Sequence, residues 1–271
     1  MSASLPRILC IGAQKAGTSW LYENLRTNPL VWSPPFKELH FFDYKFVDES
    51  KTWARWHVKS NIKKHLKKPD LPDDQKSYLL ALLEEPILNG NWYKMAFSAA
   101  PTGRIGIDAT PEYCAVPADG IAFIKKFLKN PYIIYIIRDP VERALSQIRM
   151  NMYRKKKDFD DRAAWMDAAK EPVISARGDY KTFVPQWDRV FPNLFYAPFG
   201  AITEDPRGLL LSVENYCGLP RFHYEHAHRP VFAGIRVEAP TEVVEYLAAV
   251  LEGQVRFLRE RFGADFVRRT L

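Results

Sequence analysis

The order of apolar segments along the chain predicts an α/β fold with three layers, in which helices cover both faces of a central parallel sheet. Two observations carry this prediction. Short strand-like segments alternate with amphipathic helical segments, the pattern of strand–helix–strand units. Residues 131–137 lack the polar alternation of a half-exposed strand, so both faces of this strand should be buried in the middle of a parallel sheet.

Apolar runs bounded by glycine, proline or polar residues define the strands. The predicted strands are residues 7–13, 30–33, 104–108, 131–137 and 193–199. The first of them ends in glycine and leads directly into a helical segment, and the second stops before a double proline.

Apolar residues at helical spacing define the helices. The predicted helices are residues 17–28, 117–129, 141–153, 205–217 and 241–262. In the first, Trp20, Leu21 and Leu25 form the apolar side, and Pro29 lies just past its end.

Residues 44–90 interrupt the alternation because they hold no convincing strand. Residues 51–68 contain many lysines and arginines and no acidic residue. Val58, Ile62 and Leu66 are spaced by four, which predicts a basic amphipathic helix. We therefore expect a single domain over residues 1–271 that carries a mainly helical insertion at about residues 44–90.

Length and composition narrow the class of protein. The chain has 271 residues, of which 47% are hydrophobic and 26% charged, so it can bury a sizeable core and is not intrinsically disordered. It shows neither a membrane-length apolar stretch nor the apolar region of a secretory signal. Cys10, Cys114 and Cys217 are too few and too scattered for a disulfide framework or a metal site. A reducing, cytoplasmic location and no metal ligands are expected, and the alternative location is that of a lumenal catalytic domain separated from its anchor.

The net charge of +7 favours anionic partners without distinguishing nucleic acid, membrane surface, acidic glycan or nucleotide. No RRM, KH or helix-turn-helix pattern accompanies it, so a nucleic-acid-binding module is the weakest of the functions considered.

The segment Gly-Ala-Gln-Lys-Ala-Gly-Thr-Ser at residues 12–19 lies between a buried strand and a helix. Backbone N–H groups and a helix N-terminus bind anions in that position. Nucleotide triphosphatases carry GxxxxGK[ST] there, whereas this chain has Thr18 in place of the lysine, Lys15 inside the loop and Ser19 at the hydroxyl position. The alternative is an ordinary glycine-containing turn with a surface lysine.

A second anion-binding point is predicted at the end of the strand over residues 131–137. Arg138 follows this strand directly, at the carboxyl edge where open α/β sheets bind ligands. Ser146 lies about two turns into the next helix. A guanidinium and a hydroxyl can together hold a separate phosphate. The alternative is that Arg138 only pairs with Asp139 or Glu142.

Residues 12–20 (GAQKAGTSW) and 137–146 (IRDPVERALS) resemble the two nucleotide-binding motifs of the sulfotransferases that use 3′-phosphoadenosine 5′-phosphosulfate (PAPS). Residues 37–43 (KELHFFD), 108–113 and 178–180 are similar, in the same order, to segments of the glycan-type and bacterial branch. The resemblance implies a fold like that of P-loop NTPases, a 5′-phosphosulfate loop, a 3′-phosphate clamp and no requirement for a metal.

The resemblance also implies roles for individual residues. Its cofactor-binding set is Lys15, Ala16, Gly17, Thr18, Ser19, Trp20, Arg138, Ser146 and Tyr180. Lys15 would offset charge on the leaving oxygen, and the loop N–H groups would hold the 5′-phosphate. Tyr180 matches a tyrosine near the adenosine, although a purely structural core tyrosine is equally expected. Arg229 or Arg236 are further cations for the 3′-phosphate, but their segment does not match the family pattern cleanly.

The proton acceptor is expected in residues 37–43. Glu38 matches the family's glutamate base, and partial burial beside Phe41 and Phe42 is expected to raise its pKa. His40 is the competing base because a histidine titrates near neutral pH. The alternative for Glu38 is a loop ion pair with Lys37 or Lys15.

These observations predict sulfuryl transfer from PAPS to a hydroxyl or amine on a small-molecule, lipid or glycan acceptor. A kinase that uses a nucleoside triphosphate and a variant phosphate loop is the alternative. The insertion either contacts an anionic acceptor or presents a solvated cationic face. Gln14 stands where some glycan-type relatives have arginine, which counts against a polysaccharide.

Overall fold

A computed structural model of the protein describes residues 5–84, 86–231, 234–235 and 237–271. Five parallel strands form one sheet in the order β2-β3-β1-β4-β5. The strands are β1 (Ile8–Gly12), β2 (Val31–Trp32), β3 (Ile105–Ala109), β4 (Tyr132–Ile137) and β5 (Phe195–Pro198). The α/β class and the parallel sheet are confirmed, with each strand at its predicted place.

Helices fill the segments between the strands. They are α1 (Thr18–Leu25), α2 (Phe41–Phe46), α3 (Asp48–Lys51), α4 (Ala54–Leu66), α5 (Asp73–Ala81), α6 (Gly90–Ala96), α7 (Ala118–Phe127), α8 (Pro140–Arg154), α9 (Arg162–Lys170), α10 (Pro172–Ala176), α11 (Tyr180–Val190), α12 (Ala201–Glu204), α13 (Pro206–Cys217), α14 (Thr241–Phe262) and α15 (Ala264–Arg268). A 3₁₀ helix, Pro111–Ala115, follows β3. Within the described part of the chain, no helix is both long and apolar enough to span a membrane.

The central strands lie in the core because their side chains are apolar on both faces. All of β1 is buried, and so are five of the six positions of β4. β1 lies between β3 and β4, with Leu9 opposite Asp108 on one side and Ile133 on the other. Since the strands are parallel, the loops that follow β1, β3 and β4 emerge side by side at one edge of the sheet.

The insertion is helical where the structure describes it, as the sequence predicts. In α4, Val58 and Ile62 are fully buried and Leu66 is partly buried, while Lys63 and Lys64 are exposed. The helix therefore docks on the body of the protein along its apolar stripe.

Candidate active site

The loop after β1 is shaped by a glycine that leads into α1. Gly17 has φ 82°, and a Cβ at this position would collide with Ile202. Only glycine fits both the backbone conformation and the space. Among the described residues no side chain caps α1, so the N–H groups of its first turn are available to an anion. The loop N–H groups were expected to be available to a phosphate. The N–H of Ala16 is not, because it donates to the carbonyl of Ala13 at 3.1 Å and closes the loop.

The two predicted anion-binding points meet at one edge of the sheet. Arg138 donates from Nη1 to the carbonyl oxygen of Lys15 at 2.9 Å. The hydroxyl of Tyr180 accepts from the N–H of Arg138 at 3.3 Å and donates to its carbonyl at 3.0 Å. The guanidinium also lies over the ring of Phe199, 4.3 Å from its centroid. These contacts fix Arg138 beside the loop.

Lys15 lies in a cationic environment. Burial and the neighbouring charges of Arg138 and Arg154 lower the pKa of Lys15. Its Nζ contacts the sulfur of Met150 at 3.8 Å. A bound anion would relieve the repulsion among these cations, so the charge distribution favours a negatively charged ligand.

Ser146 lies on the side of α8 that faces this loop. Glu142, four residues before Ser146, pairs with Arg138 at 3.6 Å. Met150, four residues after Ser146, contacts Lys15. Residues four apart share one face of a helix, so Ser146 lies between these two contacts. The pairing of Arg138 with Glu142 does occur, as the alternative interpretation expected, but Nε of Arg138 is buried without a hydrogen-bond partner.

The polar groups of Trp20 and Tyr180 form hydrogen bonds with the backbone of the protein itself. Trp20 is buried and donates from Nε1 to the carbonyl of Ala227 at 2.8 Å. Tyr180 is fully buried, and its hydroxyl is occupied by the backbone of Arg138. Tyr180 thus positions Arg138, and Trp20 holds the backbone of Ala227. Direct contact of either side chain with a nucleotide stays a prediction.

Lys37 is a second cation at the loop that sequence reasoning did not assign to it. Its Nζ donates to Oγ1 of Thr18 at 3.0 Å, to Oγ of Ser19 at 3.1 Å and to Oε1 of Glu38 at 3.2 Å. Thr18 occupies the position of the kinase lysine in the sequence pattern, and the ammonium group of Lys37 approaches the same position from another segment. Lys37 therefore links the loop to the segment that holds Glu38.

Asp108 anchors that segment from the end of β3. Three buried hydroxyls donate to its carboxylate at 2.8–2.9 Å: Tyr93, Thr110 and Tyr113. The oxygen of Thr110 also accepts the N–H of Leu39, and the oxygen of Tyr113 accepts the N–H of Phe41, each at 3.1 Å. This network fixes the backbone on either side of His40. It also helps Glu38, at φ 66°, and His40, at φ 51°, to keep left-handed conformations that are unfavourable for such residues.

The expectation that burial raises the pKa of Glu38 is wrong. Burial does act in that direction, but a hydrogen bond from His57 and the positive charges of Lys37 and His40 outweigh it. Oε2 of Glu38 lies 3.5 Å from Nε2 of His57, and Oε1 is the oxygen that Lys37 contacts. The net effect holds the pKa of Glu38 well below its usual range, so this carboxylate is ionised at neutral pH. The ion pair with Lys37, the alternative interpretation, is present.

The expectation that His40 keeps an ordinary pKa is also wrong. Burial alone would lower the pKa of His40, but the charge and hydrogen bond of Asp43, 3.0 Å from Nδ1, raise it to about 9. His40 is 1% exposed and Asp43 is fully buried. At neutral pH this histidine is a cation held by Asp43, which argues against its predicted role as the general base.

Sequence reasoning missed two further groups at this site. His57 comes from α4, inside the insertion, and its ring centroid lies 5.0 Å from that of His40. Glu112, in the 3₁₀ helix, accepts from Nε2 of Gln14 at 3.2 Å and pairs with Arg177 at 3.5 Å. Burial raises the pKa of Glu112. The sequence offered no signal for His57. Glu112 lies within residues 108–113, whose resemblance to a family segment was a signal, but only the fold brings it to residues 37–43.

The structure does not assign Arg229 or Arg236 to the site. Arg229 is exposed in the structure. Arg236 lies outside the described residues.

Comparisons with known proteins identify the family of this chain. A model described as "Sulfotransferase family" matches residues 6–224. The chain is 26% identical over 229 residues to heparan sulfate glucosamine 3-O-sulfotransferase 3B1 of Mus musculus, covering 81% of this chain and 48% of that protein. The identity to the 3A1 protein of Homo sapiens is also 26% over 229 residues, covering 81% and 46%. The chain thus spans about half the length of the curated relatives it matches.

Two solved structures share the fold. A sulfotransferase from Alicyclobacillus acidocaldarius superposes with a TM-score of 0.65 at 20% identity, covering 94% of each chain. The sulfotransferase domain of an olefin synthase from Synechococcus PCC 7002 superposes with a TM-score of 0.54 at 14% identity, covering 91% of this chain and 94% of that one.

Proposed function

The chain belongs to the sulfotransferase family, and on that premise we propose that it transfers a sulfuryl group from PAPS to a hydroxyl or amine of an acceptor by in-line displacement. The observation that carries the proposal is the meeting of the β1 loop with Arg138, whose Nη1 lies 2.9 Å from the Lys15 carbonyl. A nucleotide with phosphate groups at both its 5′ and 3′ positions needs two such cationic points at one sheet edge.

The residues at this edge fit that nucleotide. Gly17 leaves the room that a Cβ would fill, and the uncapped start of α1 offers N–H groups to the 5′-phosphate. Nε of Arg138 is a buried donor without a hydrogen-bond partner, and Ser146 lies one helical turn after Glu142, which pairs with Arg138. These are the groups that we assign to the 3′-phosphate.

Lys15 and Lys37 would stabilise the leaving group. A loose transition state for sulfuryl transfer, like that for phosphoryl transfer, leaves the protein mainly to position the reactants and to stabilise charge. Negative charge grows on the bridging oxygen as the bond to sulfur breaks. The ammonium group of Lys37 already lies 3.0–3.1 Å from the hydroxyls of Thr18 and Ser19, and Lys15 lies in the same loop.

Glu38 is the group that we assign as general base. It is ionised at neutral pH and 31% exposed, so the acceptor can reach it. The cations that hold its pKa low weaken it as a base, so the assignment rests on its position beside the β1 loop, to which Lys37 links it. The acceptor's proton would pass to a carboxylate oxygen as its oxygen or nitrogen bonds to sulfur. His40 is held as a cation by Asp43 and would orient the acceptor or stabilise charge instead of accepting the proton.

We propose that transfer proceeds without a metal and that the acceptor is a glycan or a smaller molecule. The cations of Lys15, Lys37 and Arg138 would supply the charge that magnesium supplies in kinases. The curated relatives are named for heparan sulfate glucosamine, which makes a sugar hydroxyl one acceptor to test. Thr18 in the position of the kinase lysine disfavours a triphosphate-dependent kinase.

Ligand-dependent thermal unfolding tests the proposal. Adenosine 3′,5′-bisphosphate should raise the melting temperature, and ATP with magnesium should raise it less at equal concentration. Lys15→Ala should weaken the effect of the bisphosphate, whereas Lys76→Ala, at an exposed position of α5, is the matched control. Stabilisation by ATP with magnesium and not by the bisphosphate would overturn the proposal.

A further inference from the structure

Glu38, His40 and His57 form a side-chain cluster that suits a metal ion. One carboxylate oxygen and one ring nitrogen of each histidine all lie within 4.8 Å of one another. We infer that this cluster is a binding site for one zinc-type dication, such as Zn²⁺ or Co²⁺. Two imidazoles and a carboxylate are the ligand types that these ions take in proteins.

The state of His40 is a second, independent observation that points to a ligand. Its Nε2 is buried and has no hydrogen-bond partner, while Nδ1 is held by Asp43 at 3.0 Å. Histidines that bind metals usually give their other nitrogen to a carboxylate, which fixes the ring and its orientation. Asp43 is fully buried beside His40 and provides that contact. Because coordination needs a neutral ring, metal binding would release to solvent the Nε2 proton that His40 carries at neutral pH.

The distances allow metal coordination after modest side-chain movement. Tetrahedral zinc with bonds of about 2.0 Å places its ligand atoms about 3.3 Å apart. Nε2 of His57 and Oε2 of Glu38 are already 3.5 Å apart. The same nitrogen contacts Nδ2 of Asn61 at 3.0 Å, and metal binding would replace that contact. Both side chains are about 30% exposed and can adjust, whereas the buried ring of His40 provides the fixed ligand. A fourth position would remain for water or an acceptor group.

Charges near the cluster act in both directions. Lys37 contacts Oε1 of Glu38 at 3.2 Å and opposes a cation, but it leaves Oε2 facing His57. Asp43 is in contact with His40, and Glu112 acts electrostatically on both Glu38 and His40. These two carboxylates favour a dication at this position.

A metal ion here would compete with catalysis. It would bind the carboxylate oxygen that the proposed base needs, so transfer would be inhibited reversibly by zinc-type ions. This consequence rests on the proposed function of Glu38, whereas metal binding itself does not. The site depends on His57 and therefore on the position of α4.

Visible absorption of Co²⁺ tests the site independently of activity. Untagged protein titrated with CoCl₂ should develop d–d bands of four- or five-coordinate Co²⁺ that saturate at one equivalent, and ZnCl₂ should abolish them. His57→Gln should weaken Co²⁺ binding at least about tenfold, because one ligand is lost. His65→Gln is the matched control, since His65 lies on the same helix and bonds to the carbonyl of Asn61.

The outcomes separate this inference from its alternatives. Absence of d–d bands at one equivalent, or bands of equal strength in His57→Gln, would overturn it. A thiolate charge-transfer band would also overturn it by placing the ion on a cysteine. If His57→Gln fails to fold, nitrogen NMR of labelled histidines in the unmutated protein tests whether His40 and His57 bind the metal. Zn²⁺ must shift the signals of His40 and His57 and leave that of His65 in place.

Discussion

The nucleotide edge, formed by Lys15, Arg138 and Ser146, differs in its construction from the acceptor side, formed by Glu38 and His57 with their neighbours. At the nucleotide edge each functional residue follows a central strand or lies on the helix after it, and the strand order brings them together. On the acceptor side the functional residues come from a loop and an inserted helix. The first region is fixed by the sheet, whereas the second depends on how the insertion packs.

The electrostatics of the two regions differ as well. At the nucleotide edge, burial and then the charges of Arg138 and Arg154 lower the pKa of Lys15, and a bound anion would offset the repulsion among these cations. On the acceptor side opposite charges are paired: Glu38 with Lys37, and His40 with Asp43. The positive charge of the nucleotide edge would be neutralised by a bound anion, whereas the ion pairs of the acceptor side already neutralise most of its charge.

The largest expected effect is on the acceptor side. Glu38→Gln should lower kcat by about 10²–10⁴-fold, the usual contribution of a general base, while bisphosphate binding changes little. Initial rates at saturating substrate and bisphosphate titration measure both. Glu23→Gln, at a partly exposed position of α1, is the control. If Glu38→Gln retains kcat, another residue is the general base, and Glu112 is the first candidate to substitute.

Lys37 joins the two regions, so its removal should affect both. Lys37→Ala should lower kcat by about 10²-fold, because one group that stabilises developing charge is lost. It should also raise the pKa of Glu38 and move the acidic limb of the pH–rate profile upward, since the Lys37 charge helps to hold that pKa low. A profile identical to that of the unmutated protein would contradict the assigned contact.

The His40–Asp43 pair makes stability depend on pH. Because folding raises the pKa of His40 from 6.5 to about 9, the pair's contribution is complete below pH 6.5 and is lost as pH rises through 9. The loss is on the order of 3 kcal/mol at most. Urea unfolding between pH 6 and pH 10 measures it, and His40→Gln should remove this part of the dependence. An equal dependence in His40→Gln would show that other groups cause it.

The smallest effect is expected from the lysines at the C-terminal end of α4 and directly after it. Exchanging Lys63, Lys64, Lys67 and Lys68 for glutamine should raise the KM for an anionic acceptor by no more than about tenfold, because exposed charges are screened by salt. The KM for PAPS should not change. An unchanged acceptor KM would leave these lysines as a solvated surface.

Sequence reasoning succeeded where function follows from local order. The strand, glycine turn and helix around Lys15, and the strand that ends at Arg138, are continuous in sequence, so their pattern predicts both the fold and the sheet edge. Lys37 and Glu112 lie in segments 37–43 and 108–113, which the sequence singled out, but their contacts with the β1 loop depend on the fold. His57 reaches the site from α4 through tertiary packing that no spacing encodes. The pKa values of Glu38 and His40 were predicted wrongly for the same reason, since each depends on partners that only the fold supplies.

The most direct test of the two-point nucleotide site compares two ligands on two proteins. Calorimetry should give the affinities of adenosine 3′,5′-bisphosphate and adenosine 5′-monophosphate for the unmutated protein and for Arg138→Gln. We predict that Arg138→Gln weakens bisphosphate binding about 10–100-fold, the range for a lost hydrogen bond to a charged group, and weakens monophosphate binding much less. Equal losses for both ligands would contradict a separate site for the 3′-phosphate at Arg138.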